Sequence, residues 1–115
     1  MCSCTACQRR SGSPFGEGAY YARDKLTISG DAREYVRIAD SGKPFRTFSC
    51  PTCATSLYFF SDRDPNRVGV AVGGFADPSF PAPHRSVFDE GKAAWIVLPP
   101  DMPGFVRGRD SERTR

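Results

Sequence analysis

The stretch that decides the fold is residues 45–60, which read FRTFSCPTCATSLYFF. Two short runs rich in aromatic and β-branched residues, 45–49 and 56–60, flank a C-x-x-C knuckle formed by Cys50 and Cys53. Such runs predict the two strands of a hairpin, with the knuckle at its tip. This is where zinc ribbons carry half of a metal site, because a structural tetrahedral zinc takes four protein ligands and a knuckle supplies two.

Further candidate strands lie on both sides of this hairpin. Residues 19–28, 33–38, 67–72 and 93–98 carry alternating or β-branched sequence, and turn signals separate them. Helical signals are scarce, with at most one turn of 3₁₀ helix near 77–79. The sequence therefore predicts a mainly β protein of small antiparallel sheets pinned by metal.

Length and composition predict one small domain. The chain has 115 residues, of which 39% are hydrophobic, and its Gly 11 and Pro 10 indicate many turns around a thin core. The formal net charge of +3 is small and the signs are mixed, so neither nucleic acid nor a membrane is demanded as a partner. Residues 107–115 are charged without periodicity, and we expect a disordered tail there.

The cysteine usage fits a reducing compartment. No stretch is long and apolar enough to span a bilayer, and no signal-peptide core follows Met1, so we expect a cytoplasmic protein. In that compartment closely spaced cysteines are metal ligands more often than disulfides. The chain has five cysteines, and this odd number also favours metal binding, since complete disulfide pairing would leave one thiol unpaired.

A second cluster places Cys2, Cys4 and Cys7 in a C-x-C-x-x-C run. Three thiolates on one short segment would leave a zinc ion with an open position, which distinguishes catalytic from structural sites. Alternatively, two of these thiols join Cys50 and Cys53 in one closed centre, and the third is a spectator. The spacing alone leaves both interpretations open.

The residues around both clusters resemble a known family. Residues 2–13, CSCTACQRRSGS, are similar to the C-H-C-x-x-C-R-x-x-[ST]-G signature of glutathione-dependent formaldehyde-activating enzymes, a family that includes the centromere protein V-like proteins. Five more segments match family motifs in the same order: 46–54 (RTFSCPTCA), 74–78 (GFADP), 81–84 (PAPH), 92–95 (KAAW) and 101–105 (DMPGF). The resemblance extends from Cys2 to about Phe105.

This resemblance implies a β-tent fold, in which small antiparallel sheets meet around a structural zinc. It implies one domain over 1–106, followed by the tail at 107–115. Carried over residue by residue, Cys2, Cys4 and Cys7 would hold a catalytic zinc, whereas Cys50 and Cys53 would form half of the structural site.

The activity implied is zinc-dependent carbon–sulfur lyase chemistry, in which glutathione as co-substrate adds to a small aldehyde such as formaldehyde. Arg9, Arg10 and Lys92 are candidates for pairing with glutathione carboxylates, although each would also be ordinary as solvated surface charge. His84 is the only histidine and the candidate for proton transfer, with a hydrogen-bonded structural role as the alternative.

Three departures from the family pattern are visible. The family's other structural pair, a C-x-C that precedes the catalytic cluster, has no counterpart here, and we expect the gene product to begin upstream of Met1. Ser3 stands where the family commonly has His. Ala54 replaces the glycine after the knuckle, in a left-handed turn that strains alanine.

Two other functions compete with this one. The centromere protein V-like branch suggests a non-catalytic zinc-binding interaction module, but here the Arg and Lys residues are scattered among acids rather than forming a basic stripe. The same site could also serve a different thiol or aldehyde, because a family does not fix its substrate. The partners expected are a small-molecule thiol and aldehyde, with no membrane and no nucleic acid.

Overall fold

The computed structural model describes all residues, Met1–Arg115, and is mainly β as predicted. Its strands are β1 (Gly18–Ala22), β2 (Arg33–Ile38), β3 (Pro44–Ser49), β4 (Ser56–Ser61) and β5 (Arg67–Ala71). They form one antiparallel sheet in the order β1-β5-β4-β3-β2. The only α-helix is α1 (Thr5–Ser11), and three 3₁₀ turns cover Arg23–Lys25, Val72–Phe75 and Asp89–Gly91.

The chain forms two compact units. Residues 18–78 form the sheet unit, which contains all five strands. Residues 1–17 and 79–115 form the terminal unit, which contains α1 and a small apolar core of Ile96, Leu98 and Met102. The domain boundary at 106 stays a prediction.

The core of the sheet unit is centred on Phe59 of β4. This ring is 4% exposed and lies 5.9 Å from the rings of Tyr20 and Phe45, measured between centroids. Gly69, its neighbour on β5, has no side chain, and a Cβ there would come within 2.2 Å of the Phe59 ring. The glycine therefore makes room for the aromatic ring, as glycine does where packing is close.

The predicted hairpin is present, and the knuckle lies at its tip. β3 and β4 pair antiparallel, and residues 50–55 connect them. The ladder shifts register between Phe48 and Ser49. The irregularity thus falls directly before Cys50.

Two predicted strands differ from the observed ones. The strand expected over 19–28 ends at Ala22, because its partner β5 begins at Arg67, the residue opposite Ala22. The strand expected over 93–98 is not formed. Its alternation is real, since Ile96 is buried and Val97 is 91% exposed. The segment nevertheless begins with a turn, in which the Ile96 N–H donates to Ala93 O (3.0 Å), and it has no ladder partner.

The scarcity of helix was overstated. α1 begins inside the first cysteine cluster and ends at Gly12, which has the left-handed backbone (φ 68°) typical of a helix C-terminus. Gly12 and the two basic residues of the last turn, Arg9 and Arg10, were the available signals.

The segment 107–115 makes hydrogen bonds in the structure, and the disorder expected there stays a prediction. The backbone N–H of Val106 donates to Glu112 O (2.8 Å), and that of Thr114 donates to Gly104 O (2.9 Å). The Thr114 hydroxyl also donates to the Asp89 carboxylate (2.7 Å). Gly104 has no side chain, which leaves room for Asp89 and Thr114 beside it.

None of the helices combines the length and apolar character needed to cross a bilayer.

Candidate metal centre

The three cysteines of the first cluster converge in the terminal unit. The sulfur atoms of Cys2, Cys4 and Cys7 all lie within 4.8 Å of one another, and each residue is half-buried. All five cysteines of the chain are free thiols. The first cluster is therefore a set of three sulfur donors that could hold one metal ion.

Cys2 is held by backbone hydrogen bonds on both sides. Its N–H donates to Gly16 O (2.8 Å), and its carbonyl accepts from Gly16 N (2.9 Å). On the other side the neighbouring Met1 and Ser3 bond to Val87, at 3.0 Å each. This backbone fixes where the first sulfur lies without using any part of its side chain.

Cys4 and Cys7 are placed by α1. Cys4 is the N-cap, with extended backbone (φ −65°, ψ 153°), and its sulfur accepts a hydrogen bond from Cys7 N at 3.3 Å. Residues three apart at the start of a helix share one face. The C-x-x-C part of the run therefore points two sulfurs to the same side because a helix starts there.

A layer of polar contacts supports this segment, and the sequence reading missed it. The Gln8 side chain donates to the carbonyls of Ser3 (2.7 Å) and Gly91 (3.4 Å). A Cβ on Gly91 would lie 2.7 Å from Ser3 O, so the glycine allows this close approach. In the sequence, the only indication of these contacts is that Gln8 lies one helical turn after Cys4. That indication becomes visible only when the bounds of α1 are known.

Ser3, which stands where the family commonly has His, is fully buried. Its hydroxyl has no hydrogen-bond partner. An unsatisfied buried hydroxyl is destabilising by about 1–3 kcal/mol. Ser3 therefore places a small polar group without a hydrogen-bond partner between Cys2 and Cys4.

The electrostatics favour protonated thiols when no ion is bound. Hydrogen bonds with Cys4 and Cys7, together with burial, raise the pKa of Cys2 far above its ordinary value. For Cys7 the hydrogen bond with Cys2 lowers the pKa, but the contact with Cys4 and burial outweigh it, so the net pKa is raised. Three thiolates repel one another at this distance, and a divalent cation removes that repulsion.

Arg10 is the candidate cation whose charge reaches the cluster. Its positive charge lowers the pKa of Cys7, which partly offsets the upward shift. A Cβ on Gly16 would come within 2.6 Å of the Arg10 guanidinium and 3.1 Å of Cys7 Cβ. Gly16 thus lies against both residues and leaves space for the guanidinium beside the cluster.

The other candidate residues for substrate binding and proton transfer are Arg9, Lys92 and His84, and each has different surroundings. Arg9 is exposed on α1. The Lys92 ammonium donates to Ile96 O at 3.1 Å, which gives it a structural partner. His84 is exposed in the segment before Ser86.

The knuckle cysteines belong to the sheet unit. The Cys53 sulfur lies 3.0 Å from the Thr55 hydroxyl, and hydrogen bonds from Thr55 and Cys50 lower the pKa of Cys53. Ala54 has the left-handed backbone (φ 62°) predicted from its place after the knuckle. No third cysteine, histidine or carboxylate of this unit joins the pair.

The donor set of the first cluster fits zinc. Soft thiolates are the ligands that tetrahedral zinc sites favour, and half-buried sulfurs limit competition from water. Three donors without a fourth match the composition of a zinc site with an open position.

Comparison with known protein families gives a match that covers most of the chain. The family described as glutathione-dependent formaldehyde-activating enzyme matches residues 1–91. The matched segment includes both cysteine clusters and His84, whereas Lys92 and the two later motifs lie beyond it. The chain therefore belongs to the glutathione-dependent formaldehyde-activating enzyme family.

Proposed function

We propose that this chain is a zinc-dependent carbon–sulfur lyase-type enzyme that adds the thiol of glutathione to formaldehyde. In the forward direction a bond forms between the thiol sulfur and the carbonyl carbon, and the thiol proton passes to the carbonyl oxygen. The product is S-hydroxymethylglutathione, and the reverse reaction breaks the same carbon–sulfur bond. The observation that carries the proposal is the convergence of three thiols within 4.8 Å in a member of this family.

Cys2, Cys4 and Cys7 are the residues proposed to hold the zinc. When bound, the metal would supply a Lewis acid that lowers the pKa of a thiol or polarises a carbonyl oxygen. The chain's own contribution is to fix the three sulfurs, through the backbone around Cys2 and through the start of α1. Such fixation lets two reactants meet without further ordering of the protein.

Arg10 is the strongest of the proposed glutathione contacts. Its charge already acts on Cys7, so an anionic substrate group bound by the guanidinium would lie near the cluster. Arg9 is exposed one position earlier on α1 and could bind a second carboxylate. Lys92 stays a candidate, although it would have to leave its bond to Ile96 O.

His84 is proposed to carry the proton between the thiol and the carbonyl oxygen. Its side chain is exposed, and an imidazole can both accept and donate a proton. For this role, the thiol and the carbonyl oxygen of the substrates must come within hydrogen-bonding distance of the His84 imidazole.

The finer features of the family are part of the same proposal. We assign the β-tent arrangement to the chain, with Cys50 and Cys53 as half of a structural zinc site. We also propose a reducing cytoplasmic location, the kind of compartment in which closely spaced cysteines are metal ligands more often than disulfides. The partners proposed are a small thiol and a small aldehyde, with no membrane or nucleic acid.

The test is the rate of S-hydroxymethylglutathione formation, followed by nuclear magnetic resonance with ¹³C-formaldehyde and glutathione. The zinc-loaded chain should exceed the spontaneous rate. Cys4→Ser should return the rate to the spontaneous level, because serine is not ionised at neutral pH. Serine is also a good N-cap, so this variant removes the thiolate and keeps the start of α1.

The matched control is Thr5→Ala, which changes the exposed residue beside Cys4 and leaves all three sulfurs. It should keep the rate of the unmodified chain. A zinc-loaded chain with no rate above the spontaneous one would contradict the formaldehyde assignment and favour the interaction module. A Cys4→Ser variant with full activity would place the chemistry elsewhere.

A further inference from the structure

The side chain of Gln8 joins the first cysteine cluster to a distant segment of the terminal unit. Its amide nitrogen donates to Ser3 O (2.7 Å) and to Gly91 O (3.4 Å). Both acceptors are backbone carbonyls, so the amide must present its nitrogen rather than its oxygen to them. Gln8 therefore connects the backbone between the cysteines to the 3₁₀ turn Asp89–Gly91.

Gln8 also holds both peptide groups that flank Cys4. The Ser3 carbonyl belongs to the planar peptide that ends at Cys4 N, and the Gln8 side chain binds this carbonyl. The Cys4 carbonyl belongs to the next peptide, and it accepts the backbone N–H of Gln8 at 3.0 Å. Because both peptide planes are held, the direction in which the Cys4 side chain leaves the backbone is fixed.

The Ser3–Cys4 peptide lies between two of the three sulfur donors. Cys2 takes part in β-bridges, and Cys4 has extended backbone (φ −65°, ψ 153°). Side chains alternate along such backbone, so those of Cys2 and Cys4 point to one side and the buried Ser3 points to the other. A rotation of this peptide would therefore change the separation of the two sulfurs, which lie within 4.8 Å of each other.

Gly91 restricts the same carbonyl by direct contact. A Cβ at this position would lie 2.7 Å from Ser3 O and 3.9 Å from the Gln8 amide nitrogen. A carbon atom cannot come this close to a backbone oxygen unless one of them shifts. A methyl group on residue 91 would therefore displace the Ser3 carbonyl even if Gln8 were unchanged.

We propose that Gln8 is a positioning residue of the first cluster, which sets the separation of the Cys2 and Cys4 sulfurs and thereby the affinity for the metal. The inference rests on the proposed role of Cys2, Cys4 and Cys7 as zinc ligands. It adds to that role a residue that would not touch the ion and acts through the backbone between two ligands. Groups that orient metal ligands in this way typically contribute about 10–100-fold to metal affinity.

The experiment measures zinc affinity by competition with a chromophoric chelator, together with the absorption spectrum of the cobalt(II)-loaded chain. Gln8→Met keeps the length and helix propensity of the side chain but removes its N–H donor, and the backbone bond to Cys4 O is retained. We expect zinc affinity to fall about 10–100-fold and the ligand-field bands of bound cobalt to shift. The chains are compared at a temperature at which both are folded, so that a loss of stability does not alter the affinity.

A second variant and two controls separate positioning from a general effect of substitution. Gly91→Ala displaces the same peptide without changing Gln8, and it should have the same two effects. Thr5→Ala changes an exposed residue of α1, and Gly108→Ala adds a Cβ that would meet nothing within 4 Å. Both controls should match the unmodified chain. All variants keep the knuckle, so differences between them come from the first cluster.

Circular dichroism checks that each variant folds, and Gly91→Ala decides if Gln8→Met does not fold. A folded Gln8→Met chain with the zinc affinity and cobalt spectrum of Thr5→Ala would overturn the proposal. A Gly91→Ala chain that matches Gly108→Ala would overturn it as well. An unmodified chain that binds neither metal would contradict the zinc role itself, whereas one that binds zinc without forming S-hydroxymethylglutathione would remove only the proposed reaction.

Discussion

At the scale of single residues, Cys4 combines two functions that the sequence alone does not separate. Its sulfur belongs to the group of three within 4.8 Å, and the same sulfur caps α1 by accepting the Cys7 N–H. The ligand position and the helix start therefore depend on one side chain. This is why Cys4→Ser is more informative than Cys4→Ala, which would remove the cap as well as the thiol.

At Ala54 the structure confirms the backbone strain that the sequence predicts. Its φ of 62° lies in the left-handed region, which costs an L-residue about 1–2 kcal/mol. Ala54→Gly should therefore raise the free energy of unfolding by about 0.5–1 kcal/mol, since glycine also loses more entropy on folding. Urea denaturation measures the change.

The control for this prediction is Ala22→Gly. Ala22 is also exposed, but its φ of −64° is ordinary. Glycine there should lower the free energy of unfolding, by about 0.5–1 kcal/mol. If both substitutions changed stability in the same direction, the strain at Ala54 would not be the cause.

At the scale of elements, strands were easier to predict than the helix. β2 has the predicted bounds because alternation at 33–38 coincides with real ladder pairing to β3. The 93–98 segment has the same alternation but no partner, and sequence periodicity reports burial rather than pairing. α1, with only seven residues, is too short for a periodic signal and is visible only through its caps.

The packing of β4 on β5 gives a test at this scale. Gly69→Ala should lower the free energy of unfolding by about 1–3 kcal/mol, because its Cβ would clash with the Phe59 ring. The comparison variant is Gly73→Ala, whose Cβ would meet nothing within 4 Å and whose effect should stay within about 0.5 kcal/mol. Equal losses in the two variants would argue against the close approach of Gly69 and Phe59.

At the scale of the whole molecule, the sequence predicted both cysteine clusters but not their supporting contacts. The spacing of thiols is written in the sequence, so the convergence of Cys2, Cys4 and Cys7 was open to prediction. The bond of Gln8 to Gly91 joins positions far apart in the chain, and only the folded backbone brings them together. The hydrogen bonds of the 107–115 segment, such as that from Thr114 to Asp89, likewise depend on the folded backbone.

The thiol pKa values predict how the metal-free chain responds to pH. The raised pKa of Cys2 means that the folded chain keeps a proton which the unfolded chain releases above the ordinary value of 9.0. Its contribution to stability is complete below that pH and is lost as pH rises further, by up to about 1.4 kcal/mol per pH unit for each retained proton. Thermal unfolding of the metal-free chain between pH 8 and 10 (roughly the thiol range) measures this.

The triple variant Cys2→Ser/Cys4→Ser/Cys7→Ser is the reference for this measurement. It keeps the other titrating groups, so its melting temperature should fall less steeply over the same range. Zinc should flatten the curve of the unmodified chain as well, because the bound metal replaces the protons. Identical slopes for the metal-free chain and the serine variant would contradict the assigned burial and hydrogen bonding of the thiols.

The most direct test of the central claim is to count the sulfurs on zinc in the Cys50→Ser/Cys53→Ser variant by X-ray absorption at the zinc edge. The account predicts one zinc per chain with about three sulfurs near 2.3 Å and one lighter atom in the open position. Loss of the zinc, or a site with two sulfurs or fewer, would contradict the claim that Cys2, Cys4 and Cys7 hold the metal by themselves.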